Sequence, residues 1–220
     1  MILVSVALTN VFGIGAICEL VFAIITLLIG IFAFRIYRLT KSDNYRAFMF
    51  SFFFIATAYL FKSLINFLIY FEQAKPIAIA SKLANISTFF AYGVIVHIVL
   101  MLIALLLLVN LVMKIKNRGV FVLLFILTFF PLVLTWMHYS IFYSLASVFL
   151  FILTVSFFKN YIKNKNKNAF YVGIAFLLIF IAHIFYILIS VRTLFFVIGH
   201  VFEFLGYLVL LITYIRVLKK

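Results

Sequence analysis

Six residues of this 220-residue chain place ionisable side chains inside long apolar runs: Glu19, Lys62, His97, His183, His200 and Glu203. An ionisable group at bilayer depth is costly unless it finds a partner or performs a task, so each is a candidate functional position. Neutral imidazole is the commonest metal ligand and a frequent axial ligand of haem iron. The three histidines are therefore read as cofactor ligands, with b-type haem clamped between His97 and either His183 or His200. The depth of the layer, its Phe and Tyr content and the flanking Gly93, Gly199 and Gly206 favour haem. A divalent metal on His183, His200 and Glu203, or no cofactor at all, is the alternative. His200-x-x-Glu203 is the one short metal-like spacing, and no H-E-x-x-H occurs.

Two other chemistries use the same residues. Carboxylates, imidazoles and an amine in one polar layer suit a proton- or ligand-coupled transporter. Only Pro76 and Pro131 could interrupt helices, and no convincing repeat relates the first three spans to the last three, which weighs against transport. The third reading is a seven-helix receptor or sensor that signals through a membrane or cytoplasmic protein partner. The last span has no lysine to link retinal, and Asp-Arg-Tyr, Asn-Pro-x-x-Tyr and His-x-x-x-His are all absent. Enzymatic chemistry has no visible constellation, since the sole aspartate, Asp43, lies between spans and no serine pairs with a histidine. In every reading Glu19, Lys62, Asn66 and Tyr207 form a buried polar network, with Lys62 paired to Glu19 or Glu203.

The elements that must hold these residues follow from composition. The chain is 69% hydrophobic and 10% charged. A soluble domain runs at about 45–50% apolar and about 25% charged. Soluble enzymes, nucleic-acid-binding domains and disordered tails are thereby excluded, despite a net charge of +14. A bilayer core takes about 20 apolar residues per helix. Cutting at charge clusters gives seven spans: 10–34, 47–71, 85–113, 120–135, 139–158, 168–190 and 193–215. The expected fold is an all-α, multi-pass bundle of seven transmembrane helices, with residues 1–220 forming one domain and no soluble part. The fourth span is short, and only Trp136-Met137-His138 separates it from the fifth, so a re-entrant hairpin is the other arrangement. Pro131 kinks the fourth span or marks its outer end. Residues 1–10 carry no Lys or Arg, so the first run is read as a retained span rather than a cleaved leader.

Basic residues set the orientation. Arg35, Arg38, Lys41 and Arg46 fall in one loop, Lys114, Lys116 and Arg118 in another, and Lys159, Lys163, Lys165 and Lys167 in a third. Arg216, Lys219 and Lys220 end the chain, whereas the alternate loops hold Lys75, Lys82 and Arg192. The positive-inside rule makes the first set cytoplasmic, so the N-terminus is outside a cell or cytoplasmic membrane and the C-terminus inside. Lipid is the primary partner and nucleic acid is not one. Asn85-Ile-Ser87 matches a glycosylation pattern but abuts the membrane.

Counted from the outer span ends at 1.5 Å per residue, the six ionisable groups share a band about 10–18 Å deep. Tyr59, Lys62, Ser63, Asn66 and Tyr70 form a stripe, as do His183, Tyr186 and Ser190, while Thr193, His200, Tyr207 and Tyr214 recur every seven residues. These are the inward faces expected of a bundle. Ser140, Ser144, Ser147 and Thr154 line a further stripe, read as a small-residue packing seam. Cys18, the lone cysteine, reads as a small buried hydrophobe.

Overall fold

The computed structural model describes residues 2–73, 80–115, 117–134, 139–192 and 194–218, with side chains described over 13–71, 91–115, 117–130, 140–189, 191–192 and 194–218. Trp136-Met137-His138 and Thr193 lie outside the described residues, as do the side chains of Asn85, Ser87 and Pro131. Among the described residues the chain is helical throughout. The helices are α1 (Ile2–Thr40), α2 (Asp43–Gln73), α3 (Ala80–Met113), α4 (Arg118–Leu134), α5 (Tyr139–Asn164), α6 (Lys167–Ile187) and α7 (Leu194–Leu218), with a 3-10 turn at Leu188–Ser190. Helix is the structure that satisfies every backbone group where water is scarce. Six of these helices are long and apolar enough to cross a membrane, and α4, with 17 residues, is shorter. The chain is thus a multi-pass, membrane-type helical protein.

Three of the turns share one device. Lys41, Lys114 and Lys165 follow α1, α3 and α5 in the left-handed conformation, with φ of 52°, 51° and 51°. The Lys41 N–H donates to the Tyr37 carbonyl and the Lys165 N–H to the Tyr161 carbonyl, each at 2.7 Å. Each bond closes the helix end four residues back, which is the usual left-handed cap with lysine in glycine's place. The Asn166 side chain then accepts the Asn168 N–H at 3.0 Å and starts α6.

Six helices close a ring in the order α1, α2, α3, α5, α6, α7 and back to α1, while among the described residues α4 touches only α3 and α5. Side-chain registers give the directions. Gly13 meets Tyr70 and Gly30 meets Phe53, so α1 and α2 are antiparallel. Phe151 meets Phe180 and Phe157 meets Phe176 between antiparallel α5 and α6. By contrast, His97 faces Phe142 and Leu105 shares a cavity with Leu150, so α3 and α5 run parallel. Between them, the 17 residues of α4 rise about 25 Å. These directions bring the ends bearing Arg35, Arg46, Lys114, Arg118, Lys159, Lys167 and Arg216 to one end of the bundle, with Arg192 at the other.

The core runs down the ring, through Phe22, Ile29, Phe52, Leu102, Phe142, Leu153, Phe176 and Leu210. Apolar side chains also cover the outside, including Ile17, Ile24, Leu68, Phe151 and Val201, as expected of a surface in contact with lipid. The serine stripe of α5 packs only over its second half, where Ser147 and Thr154 are buried. Ser140 and Ser144 are exposed, and Ser144, Ser147 and Thr154 each donate to the carbonyl four residues earlier. Ser147 and Thr154 share the buried face of α5 with Phe142, Ala146, Phe149, Leu150 and Leu153.

Candidate functional site

Every helix of the ring contributes to one polar centre. Glu19, Lys62, His97, His183, His200 and Glu203 line a single cavity together with Tyr59, Tyr143 and Tyr186. Depth and face bring these residues together: each lies on the inward side of its helix and lines the same cavity.

On the α1–α2 side, Lys62 Nζ pairs with Glu19 Oε1 at 2.9 Å, and the Asn66 amide donates to Glu19 Oε2 at 2.6 Å. Ser63 Oγ donates to the Ala16 carbonyl at 2.8 Å and ties the two helices one turn away. Lys62 also hydrogen-bonds Tyr143 of α5. Glu19 thus has an ammonium and an amide on its two oxygens. The α6–α7 side is built differently. Tyr59 donates to Glu203 Oε1, and Tyr186 donates to Oε2 at 2.6 Å. Tyr207 lies 3.1 Å from the Tyr59 hydroxyl. Each phenol has one hydrogen, so with Tyr59 donating to Glu203, Tyr207 must donate to Tyr59. The chain of hydroxyls therefore points at Glu203. Among the described residues no salt bridge reaches this carboxylate.

The histidines are held by backbone. Nδ1 of His97 faces the Ala58 carbonyl at 3.1 Å, Nδ1 of His183 the Ile179 carbonyl at 3.0 Å, and Nδ1 of His200 the Phe196 carbonyl at 2.8 Å. A carbonyl only accepts, so Nδ1 carries the hydrogen in all three rings and Nε2 the lone pair. Tyr186 also lies 3.1 Å from His200 Nδ1.

This packing does not suit the cofactors expected from the histidine pattern. The cavity measures about 10 Å3, room for about one water. A macrocycle needs on the order of 300 Å3 or more. Aromatic rings fill the gaps a haem would enter: Phe142 stands 5.7 Å from the His97 ring and 6.4 Å from that of His183. Between His97 and His200 lie Tyr59 and Phe22, 5.4 Å apart. Among the described residues no three His, Cys, Asp or Glu side chains are grouped to hold a metal, so His183, His200 and Glu203 do not form that site either. The flanking glycines serve helix packing: Gly93 abuts Ile65, a Cβ on Gly199 would stand 2.5 Å from the Tyr186 ring, and one on Gly206 would stand 2.9 Å from the Ala175 carbonyl.

Sequence reasoning passed over Tyr143, and over phenols as the partners of Glu203. Tyr143 lies four residues into α5, about 6 Å from its start and short of the band at about 10–18 Å, so depth counted from the span end gave no signal for it. No family model matches the chain, and no curated protein or solved structure is similar to it.

Proposed function

We propose that the chain is a seven-crossing membrane protein, N-terminus outside and C-terminus cytoplasmic, whose central cavity moves protons, alone or coupled to a small polar solute. The gathering of the basic helix ends supports the orientation, and the parallel run of α3 and α5 supports a crossing by α4. Residues 1–220 then form one transmembrane unit.

The observation that carries the reading is the unequal compensation of two buried carboxylates in one cavity. Glu19 and Lys62 neutralise each other. Glu203 has two phenols and no ion-pair partner among the described residues. Phenols orient a carboxylate but do not cancel its charge, and an uncancelled charge in a low-dielectric layer is expensive. One proton on Glu203 restores neutrality without breaking the Glu19–Lys62 pair. Once protonated, Glu203 donates to Tyr59 and Tyr59 can donate to Tyr207, so the hydroxyl chain reverses. That reversal moves a hydrogen-bond polarity along α7 with no side chain leaving its place. The one-water cavity supplies the remaining link between Glu203 and the imidazole Nε2 atoms.

The test is proton flux. Proteoliposomes containing a pH-sensitive dye, driven by a potassium diffusion potential, should acidify faster than protein-free vesicles. Glu203→Gln should return the rate to that of protein-free vesicles. Equal rates for wild type and Glu203→Gln would contradict the reading.

A further inference from the structure

The ring maps onto itself when α1, α2 and α3 are exchanged with α5, α6 and α7. The contact of α1 with α2 becomes that of α5 with α6, α2 with α3 becomes α6 with α7, and the parallel α3–α5 pair becomes the parallel α7–α1 pair. The Lys41 and Lys165 turns, alike in φ and in their 2.7 Å closing bonds, set the register of this exchange.

In that register α2 and α6 match at Phe52 and Phe176, Ile55 and Ile179, Ala58 and Ala182, Phe61 and Phe185, and through Leu64-Ile65 and Leu188-Ile189. The first three pairs are buried in both helices. On α1 and α5 the buried Phe22, Ile25 and Ile29 correspond to the buried Ala146, Phe149 and Leu153. α3 and α7 follow a second register, with an offset of 106 residues in place of the 124 that relates Lys41 to Lys165: it aligns Gly93 with Gly199 and, one turn later, His97 with Glu203, and each glycine lies against a side chain of the preceding helix. Site residues pair in these two registers: Glu19 with Tyr143, Tyr59 with His183 and Lys62 with Tyr186 in the first, and His97 with Glu203 in the second. All eight face the one polar cavity, which therefore sits where the two halves meet.

A second cavity of about 10 Å3 lies one to two turns nearer the basic end, and Met101 and His183 belong to the walls of both. Its lining is largely apolar, and two matched pairs, Phe52 with Phe176 and Ile55 with Ile179, stand on opposite sides of it. A small cavity lined this way stays dry. A dry constriction blocks ions and water wires until it widens or wets. Transporters with parallel repeats place their sites at the repeat interface and move one repeat against the other.

We propose that α1–α3 and α5–α7 are two copies of one three-helix unit joined by α4, and that Phe52, Ile55, Phe176 and Ile179 form a paired apolar gate between the polar cavity and the basic end. The gate passes a proton carried on water when the halves shift, and holds it back when they do not. This assignment rests on the proton reading of the cavity. The halves have diverged in charge while keeping the gate: one supplies Glu19 and Lys62 where the other supplies Tyr143 and Tyr186.

The same dye-loaded proteoliposomes test it. Ile55→Thr and Ile179→Thr keep a branched side chain but wet the constriction, and each should raise proton flux several-fold, by similar factors. Ile29→Thr, the same change at a buried site lining neither cavity, should leave the flux at the wild-type rate. Where a threonine variant does not fold, Ile55→Val and Ile179→Val thin the same point without a polar atom and should shift the flux in the same direction. Folded gate variants with wild-type flux would overturn the gate. A leak through one position and not its counterpart would overturn the equivalence of the halves. Matched leaks from both gate variants, with wild type no faster than Glu203→Gln, would leave the gate standing and remove the proton-transport reading.

Discussion

Glu19 and Glu203 are equally buried, each 2% exposed, and they face the same cavity from the neighbouring helices α1 and α7. Glu19 is locked by an ammonium at 2.9 Å and an amide at 2.6 Å. Glu203 is held by hydroxyls alone, from Tyr59 of α2 and Tyr186 of α6. The first arrangement fixes charge and ties α1 to α2. The second fixes position and leaves charge open. Burial by itself therefore does not separate a structural carboxylate from a working one; the charge of its partners does.

The comparison breaks most visibly at Lys62. Lys62→Met strands Glu19, and removing one partner of a buried pair costs about 3–5 kcal/mol. With Lys62 16% exposed, the lower end of that range is expected, read as a loss of unfolding free energy in detergent or bicelles. Adding Glu19→Gln to Lys62→Met should recover most of the loss, because the stranded charge is gone. A double variant as unstable as the single would mean that the pair does not work as a unit.

On the other side the effects are smaller and graded. Tyr186→Phe removes a hydrogen bond to a carboxylate and should cost about 1.5 kcal/mol, where charge-assisted bonds and the strongest interhelical bonds in membranes overlap. Tyr207→Phe removes a phenol–phenol contact and should cost about 0.6 kcal/mol. Equal losses would show that the hydroxyl chain does not converge on Glu203. Ser144→Ala, in the exposed part of the α5 stripe, should change stability by less than about 0.5 kcal/mol. A larger loss there would extend the packing seam of Ser147 and Thr154 to the exposed end of the stripe.

Much of this arrangement was legible in the residues themselves. Lys62 beside Glu19 and the shared depth of six ionisable groups follow from what such groups cost in an apolar bundle. The serine stripe held at the buried Ser147 and Thr154 and failed at Ser140 and Ser144, because a helical Ser or Thr can satisfy its hydroxyl on a carbonyl of its own helix, as Ser144 does on Ser140, and so need not mark an interface. Three histidines at one depth looked like ligands, but each ring donates Nδ1 to a backbone carbonyl and aromatic rings fill the space between them. Tyr143 was hidden because a tyrosine in a Phe-rich helix has no distinctive cost. The repeat was hidden because site residues diverged in type, Tyr59 against His183 and Lys62 against Tyr186, while the retained matches are Phe, Ile, Leu and Ala, common throughout the chain. Turn geometry and ring order supplied the register of α1–α2 on α5–α6, and the packed Gly93 and Gly199 that of α3 on α7.

The central claim, that Glu203 and not Glu19 exchanges a proton, is tested most directly by infrared spectroscopy of the purified protein across a pH series. The account predicts a carbonyl stretch from a protonated carboxylic acid that grows on acidification, disappears in Glu203→Gln and persists in Glu19→Gln. A band that survives Glu203→Gln, or one that is lost only in Glu19→Gln, would contradict it.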